Sequence, residues 1–366
     1  MSAPYRADQV GSLLRPPELL RARAAYAAGS LPESELRAIE DWAILDAFAR
    51  QKGAGIGIFT DGEMRRGSWL TDMAEAVDGF VPGPVEMVWH GVEGANTEKS
   101  TAHAVGAKLR KRRQLAGLEL PLLKASAPGP FKITIPAPSN FVLASFRPGL
   151  TEAAYPTHAD LLDDLVKIIR DEILWLRAQG VGYIQLDAPF YSFYLDPEQR
   201  AKMQAAGFDA DRELDNAIAG DNRCFEGMAR QGWTLALHVC RGNRRSAWYT
   251  QGGYDVIAEK LFGALDVDRF LLEYDDPRSG GFEPLRLVPR GKTVVLGLIT
   301  TKSARLEPAE DVARRVDEAA RLVPLDQLAL STQCGFASVA AGNLLSMDDQ
   351  WRKLELVVET ARRIWG

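Results

Sequence analysis

The chain has 366 residues, 46% of them hydrophobic and 25% charged, and a net charge of −5. So mild a charge excludes the electrostatic footprint of nucleic-acid or membrane-surface binding, and no apolar run reaches the roughly 20 residues that a membrane helix needs. Three cysteines do not make a disulfide framework, and the opening "MSAPYRADQVGS" has no apolar signal core, so the expected location is a reducing cytoplasm.

In chain order, short aliphatic runs that stop at polar or glycine steps predict eight strands. The first is Asp8–Ser12 and the second Ile56–Glu63. Then come "FKITIPAPS" from Phe131, "VGYIQLDAP" from Val181, "TLALHVC" from Thr234 and "RFLLEYD" from Arg269. "TVVLGLITT" from Thr293 and "QLALSTQCG" from Gln327 complete the set. Amphipathic helical patterns lie between most of them. "ADLLDDLVKIIRDEILWLRAQG" closes on Gly180, another pattern opens at Pro308, and "MDDQWRKLELVVETARRIW" follows the eighth strand. Continuously apolar strands alternating with helices are parallel strands buried on both faces. Eight of them predict an α/β fold, a (β/α)8 TIM-type barrel. The alternative, an open doubly wound sheet, lacks a glycine-rich phosphate-binding turn here.

One stretch, Gly67 to Gly129, is too long for a single strand–helix connection. The reading is a single barrel domain over 1–366 with an inserted hairpin or cap region at 67–130, after strand two. "PVEMVWHGVEG" and "AVGAKLRKRRQ" read as the arms of that hairpin, and the basic run from Lys108 as its solvated face.

Barrel enzymes carry their working residues at the C-terminal ends of strands. Those ends offer Ser12, Asp61, Glu63, Asp187, His238, Cys240, Glu273 and Cys334. Two-residue spacing puts His238 and Cys240 on one side of their strand. An imidazole with two thiolates suits Zn²⁺, and Glu273 and Cys334 would complete a four-ligand set. Cys224 sits in a helical pattern away from any strand end and reads as packing.

"ALHVCRGN", "FLLEYD", "LSTQCGFAS", "YIQLDAP", "VGSLLRP" and "DGEMRR" together resemble the cobalamin-independent methionine synthase family. The resemblance covers nearly the whole chain. It is to the shorter single-barrel members, similar to the catalytic C-terminal half of the full-length synthase. It implies zinc on His238, Cys240, Glu273 and Cys334, with the acceptor amino acid held by Ser12, Glu63 and Asp187. The implied reaction is methyl transfer to the thiol of homocysteine, forming methionine. Glu273 would leave the metal as the acceptor sulfur arrives, and Asp187 would serve the site as well as the substrate. Lys302, in "LITTKSARLE", stands where the full-length synthase has a histidine that assists proton delivery.

The expected methyl donor is a methyl-folate, a methyl-corrinoid protein or another activated compound. "PFYSFYLDP", Trp69 and Trp248 are candidates for an aromatic wall that receives it. Arg65, Arg66, Arg241 and Asn243 are candidates for carboxylate contacts or ligand supports. The alternative on this scaffold is another zinc-dependent thiol alkyltransferase, such as the type that adds coenzyme M to epoxides. Glu63 and Asp187 favour an acceptor bearing an ammonium group, whereas a sulfonated thiol would want arginines.

Overall fold

The computed structural model describes residues 5–83, 85–91, 94–100 and 103–366. Helices α1 (Pro17–Ala27) and α2 (Glu33–Ala54) connect two extended segments near the start of the chain. The long insertion follows, with α3 (Thr71–Ala76), β1 (Val77–Pro82), β2 (Val85–Gly91), β3 (Gly94–Ser100), β4 (His103–Lys111) and α4 (Leu120–Ser126). A regular alternation begins with β5 (Ile133–Pro136), α5 (Ser139–Ser145), α6 (His158–Ala178) and β6 (Tyr183–Asp187). It continues through α7 (Pro197–Ala205), α8 (Ala210–Arg223), β7 (Thr234–Val239), α9 (Ala258–Ala264) and β8 (Arg269–Glu273). It closes with β9 (Thr293–Ile299), α10 (Ala309–Ala320), β10 (Leu328–Thr332) and α11 (Met347–Trp365).

Strands β5 to β10 form one parallel sheet in sequence order. Apart from Thr293 their residues are all buried, as strands covered on both faces must be. The covering helices begin where the chain supplies caps. Thr157 and Asp160 form a capping box at α6, and Ser346 and Asp349 form one at α11. Among the described residues, no helix is long and apolar enough to cross a membrane.

The first two expected strands form no ladder. Each meets the sheet at a single parallel bridge, Ala7 with Leu330 and Phe59 with Phe131. Polar side chains take the place of the missing pairs. Gln9 Nε2 donates to Ile58 O at 3.0 Å and to Gln51 Oε1 at 2.7 Å. Gln51 then donates to Thr60 O at 2.8 Å and accepts from Thr60 N at 3.0 Å. Side chains that satisfy the backbone this way compete with strand pairing. The two segments still meet directly, through Leu13 N to Gly62 O at 3.0 Å and Thr60 Oγ1 to Gly11 O at 2.8 Å.

Seven buried residues, Val10, Ile58, Tyr183, Ala236, Leu271, Val295 and Ala329, pack as a separate apolar layer. On its N-terminal side lies a buried ionic cluster. Asp8 accepts from Lys132 at 2.9 Å and from Tyr183 Oη at 2.8 Å, and lies 3.4 Å from Arg269.

The insertion pairs differently from expectation. β1 pairs antiparallel with β4, and β2 with β3, so the two runs read as one hairpin belong to separate antiparallel pairs. Pro84, Val92 and Glu93 of the first run lie outside the described residues. The basic run is matched by acids: Arg110 meets Asp78 at 2.9 Å, and Lys111 meets Asp171 at 2.6 Å and Glu172 at 2.9 Å.

Candidate metal centre and acceptor site

The C-terminal ends of β7 and β10 bring three soft or borderline ligand atoms together. Side-chain ligand atoms of His238, Cys240 and Cys334 all lie within 4.8 Å of one another, and all three residues are buried. The two sulfurs are 3.7 Å apart. His238 Nδ1 lies 3.2 Å from Leu271 O. A carbonyl only accepts, so Nδ1 carries the proton and Nε2 presents its lone pair. That Nε2 is buried without a hydrogen-bond partner. A metal-ligating histidine needs its other ring nitrogen fixed by such a carbonyl.

Electrostatics point the same way. The thiol of Cys334 is held well below its ordinary range by the Cys240 thiol and by His238, against the effect of burial. The Cys240 thiol is pushed well above it by Cys334 and by burial. Two sulfurs this close share one proton unless a cation lies with them. An orphaned imidazole nitrogen beside such a pair fits a zinc-like ion.

Glu273 is not within that radius of all three. Its Oε1 accepts from Arg278 Nη2 at 2.6 Å, and its Oε2 from Arg241 N at 2.7 Å. Burial alone would raise its pKa, but Lys302, Arg278 and Arg241 outweigh that and hold it at about 2. Lys302 Nζ lies 3.9 Å from Glu273 Oε1, buried, with no hydrogen-bond partner. It is not among the residues that line the adjoining cavity.

A cavity of about 310 Å³ is lined by the three metal-type residues together with Ser12, Glu63 and Asp187. Ser12 Oγ accepts from Ala337 N at 3.4 Å. A Cβ on Gly335 would stand 2.0 Å from that oxygen, so only glycine leaves room for it. Glu63 has φ +56°, a left-handed conformation in which a non-glycine residue is strained. The strain is held in place from several sides. Asp61 Oδ1 accepts from Glu63 N at 3.1 Å, Arg15 donates to Glu63 O at 2.9 Å, and Thr134 Oγ1 donates to Glu63 Oε1 at 3.0 Å. Glu63 Oε2 is buried and unpartnered. Asp187 Oδ1 accepts from Gln185 Nε2 at 2.7 Å. Burial, with the charge of Glu63 working against that of His238, pushes Asp187 up to about 7. Asp61 is likewise raised to about 7, by burial first, and does not line the cavity.

Much of the remaining lining is aromatic. Trp69, Phe190 and Phe193 line it as expected, joined by Trp89 and Tyr249, which sequence reasoning missed. Their rings touch in series, with Trp89 and Tyr249 centroids 5.2 Å apart and Phe190 and Phe193 4.8 Å apart. Trp248 is not part of this wall; its ring lies between His90, 6.1 Å away, and the Arg278 guanidinium, 5.0 Å away. Tyr191 and Tyr194 face the core instead. Arg65 also points away, pairing with Glu40 at 3.0 Å and with Asp41. Arg66 is buried against Glu119 at 2.7 Å and lies 3.8 Å from Glu63. Asn243 lines the cavity and ties its loop to Gly335 O at 2.6 Å. Cys224 is buried in the main core.

Residues 7–362 match the family model described as the catalytic domain of the cobalamin-independent synthase. "Uncharacterized protein YxjG" of Bacillus subtilis is 38% identical over 373 residues, covering 99% of this chain and 95% of that protein. A "Methionine synthase" of Saccharolobus solfataricus is 26% identical, covering 96% and 92%. Among solved structures, a putative vitamin-B12 independent methionine synthase from Listeria monocytogenes superposes with a TM-score of 0.75 at 28% identity, covering 100% and 99%. A B12-independent methionine synthase from Shewanella, solved with selenomethionine, gives 0.73 at 22% identity over 99% and 98%, which shows the fold alone. The parallel α/β sheet is thus shared with these structures, and the chain belongs to the cobalamin-independent methionine synthase family.

Proposed function

We propose that this protein is a zinc-dependent methyltransferase that converts homocysteine to methionine. The observation that carries the reading is the meeting of the His238 ring with the sulfurs of Cys240 and Cys334 on the wall of a cavity also lined by Ser12, Glu63 and Asp187. His238, Cys240 and Cys334 would hold the zinc, with Glu273 as the fourth group at hand. Zinc bound there supplies a thiolate from the acceptor's thiol at neutral pH.

The other parts belong to the chain itself. Glu63 and Asp187 present carboxylate oxygens to the acceptor's ammonium group. Ser12 Oγ already accepts from Ala337 N, so its own proton is free to donate to the acceptor's carboxylate. An acidic floor of this kind repels a sulfonated thiol and favours an amino acid. Trp69, Trp89, Phe190, Phe193 and Tyr249 exclude water and offer flat apolar area to an activated methyl donor. Lys302, 3.9 Å from Glu273 Oε1, acts as its counter-charge.

The framework is read as a closed (β/α)8 barrel, with the 67–130 insertion as its cap. Support comes from the buried layer drawn from seven of the eight expected strands, and from β2 residues Met87, Val88 and Trp89 on the cavity wall. A reducing compartment such as the cytoplasm would keep Cys240 and Cys334 as thiols.

Purified protein is expected to carry about one zinc per chain, lost in Cys240→Ser and Cys334→Ser. Full metal content in either variant would remove the site. With zinc loaded, homocysteine is offered with methyl-folates in one arm and methylcobalamin in the other. Methionine in either arm supports the reading and identifies the donor. Zinc-loaded protein that forms none, yet binds coenzyme M through the metal, would turn it toward the epoxide-type alkyltransferases.

A further inference from the structure

Ser12 and Glu63 lie on different turns of the chain, and both turns converge on Arg15. This residue stands three past Ser12 in "GSLLRP" and is 4% exposed. Its Nη2 donates to Glu63 O at 2.9 Å and to Arg66 O at 3.0 Å, across the turn that carries Glu63. Its Nη1 donates to Ala337 O at 2.6 Å. The N–H of that same Ala337 donates to Ser12 Oγ at 3.4 Å, and Phe336 N donates to Ser12 O at 2.8 Å. One guanidinium thus bonds both the turn that bears Glu63 and the turn that meets Ser12. Burial lowers the pKa of Arg15, but at about 10 the group stays charged at neutral pH. Hydrogen bonds from a charged fork are strong and directional, and a lysine ammonium does not reproduce the fork.

Glu63 needs such a hold. Its φ of +56° is a conformation that a non-glycine residue keeps only where its surroundings over-determine it. Arg15 is not among the residues that line the cavity, so it acts on a substrate only through others. We propose that Arg15 is a positioning residue for the amino-acid substrate, setting Glu63 and Ser12 at the spacing that its ammonium and carboxylate groups require. This rests on the acceptor reading above. The turns keep direct backbone contacts of their own, Leu13 N to Gly62 O at 3.0 Å and Trp69 N to Ser338 O at 3.0 Å. Variants of Arg15 are therefore expected to keep the fold while the two anchors lose their register.

Titration calorimetry of L-methionine into zinc-loaded, full-length protein tests this, for wild type, Arg15→Lys and Arg15→Met. Both variants are expected to bind L-methionine roughly tenfold or more weakly, since a misplacement of about 1 Å in a site can cost on the order of 100-fold in the reaction it serves. Zinc content stays as in wild type. In turnover, the KM for homocysteine rises and kcat changes little, the signature of lost ground-state binding. Wild-type affinity in Arg15→Lys would show that charge without the fork suffices, and would overturn the proposal. So would wild-type affinity in Arg15→Met, or a folded variant that loses zinc and L-methionine together, because the effect would then not be confined to the anchors. Should Arg15→Met not fold, Arg15→Lys, which keeps the stem and the charge, decides. Failure of the acceptor reading is distinct: zinc-loaded wild type would then bind no L-methionine, whatever residue stands at position 15.

Discussion

At the scale of the residue, the proposed acceptor site turns on a buried carboxylate. Burial, helped by the charge of Glu63, raises Asp187 to about 7. An ammonium group is held by the ionised form, so its binding weakens as pH falls through that value. L-Methionine, which has no thiol to titrate, is expected to bind roughly tenfold more weakly at pH 6 than at pH 8. Titration calorimetry of Asp187→Asn should show a flat profile; the same slope in both proteins would remove Asp187 from this role. His238, Cys240 and Cys334 were legible because ligand-type residues at strand ends have few structural reasons to be there. Trp89 and Tyr249 were not, since an aromatic residue in an insertion carries no local signal of which cavity it will face. Arg278 follows strand β8 in "YDDPRSG", and its proximity to Glu273 in sequence was the available clue.

At the scale of the element, β5 to β10 could be read because unbroken apolar runs have one stable placement, in a parallel sheet covered on both faces. The two earlier segments misled for a physical reason: their backbone is served by Gln9, Gln51 and Thr60 rather than by a neighbouring strand. The pairing within the insertion was illegible because register among four short strands depends on contacts distant in sequence. Gln51 makes the strongest prediction here. Gln51→Leu strands the partners of three hydrogen bonds in a buried site, at a cost of about 2–4 kcal/mol. Urea unfolding should show the loss, and hydrogen exchange at the Thr60 amide should quicken beyond the global change. Unchanged protection at Thr60 would mean that Gln51 does not stand in for a strand.

At the scale of the whole molecule, the ionic cluster of Asp8, Lys132 and Arg269 joins three segments far apart in the chain. Burial disfavours the charged forms of both partners, yet the Lys132 and Arg269 charges hold Asp8 below its usual range. Removing one partner leaves a buried charge less than fully matched. Lys132→Met is expected to cost about 3–5 kcal/mol in thermal unfolding, and Asp8→Leu added to it should recover part of that. A double variant less stable than Lys132→Met would contradict this. The seven-residue apolar layer adjoins the cluster through Tyr183, which belongs to the layer and donates to Asp8. The proposed amino-acid anchors Ser12, Glu63 and Asp187 and the aromatic residues line one and the same cavity. In the proposed reaction, acceptor and donor would therefore have to be seated there together, and methyl transfer would require a ternary complex rather than a ping-pong exchange.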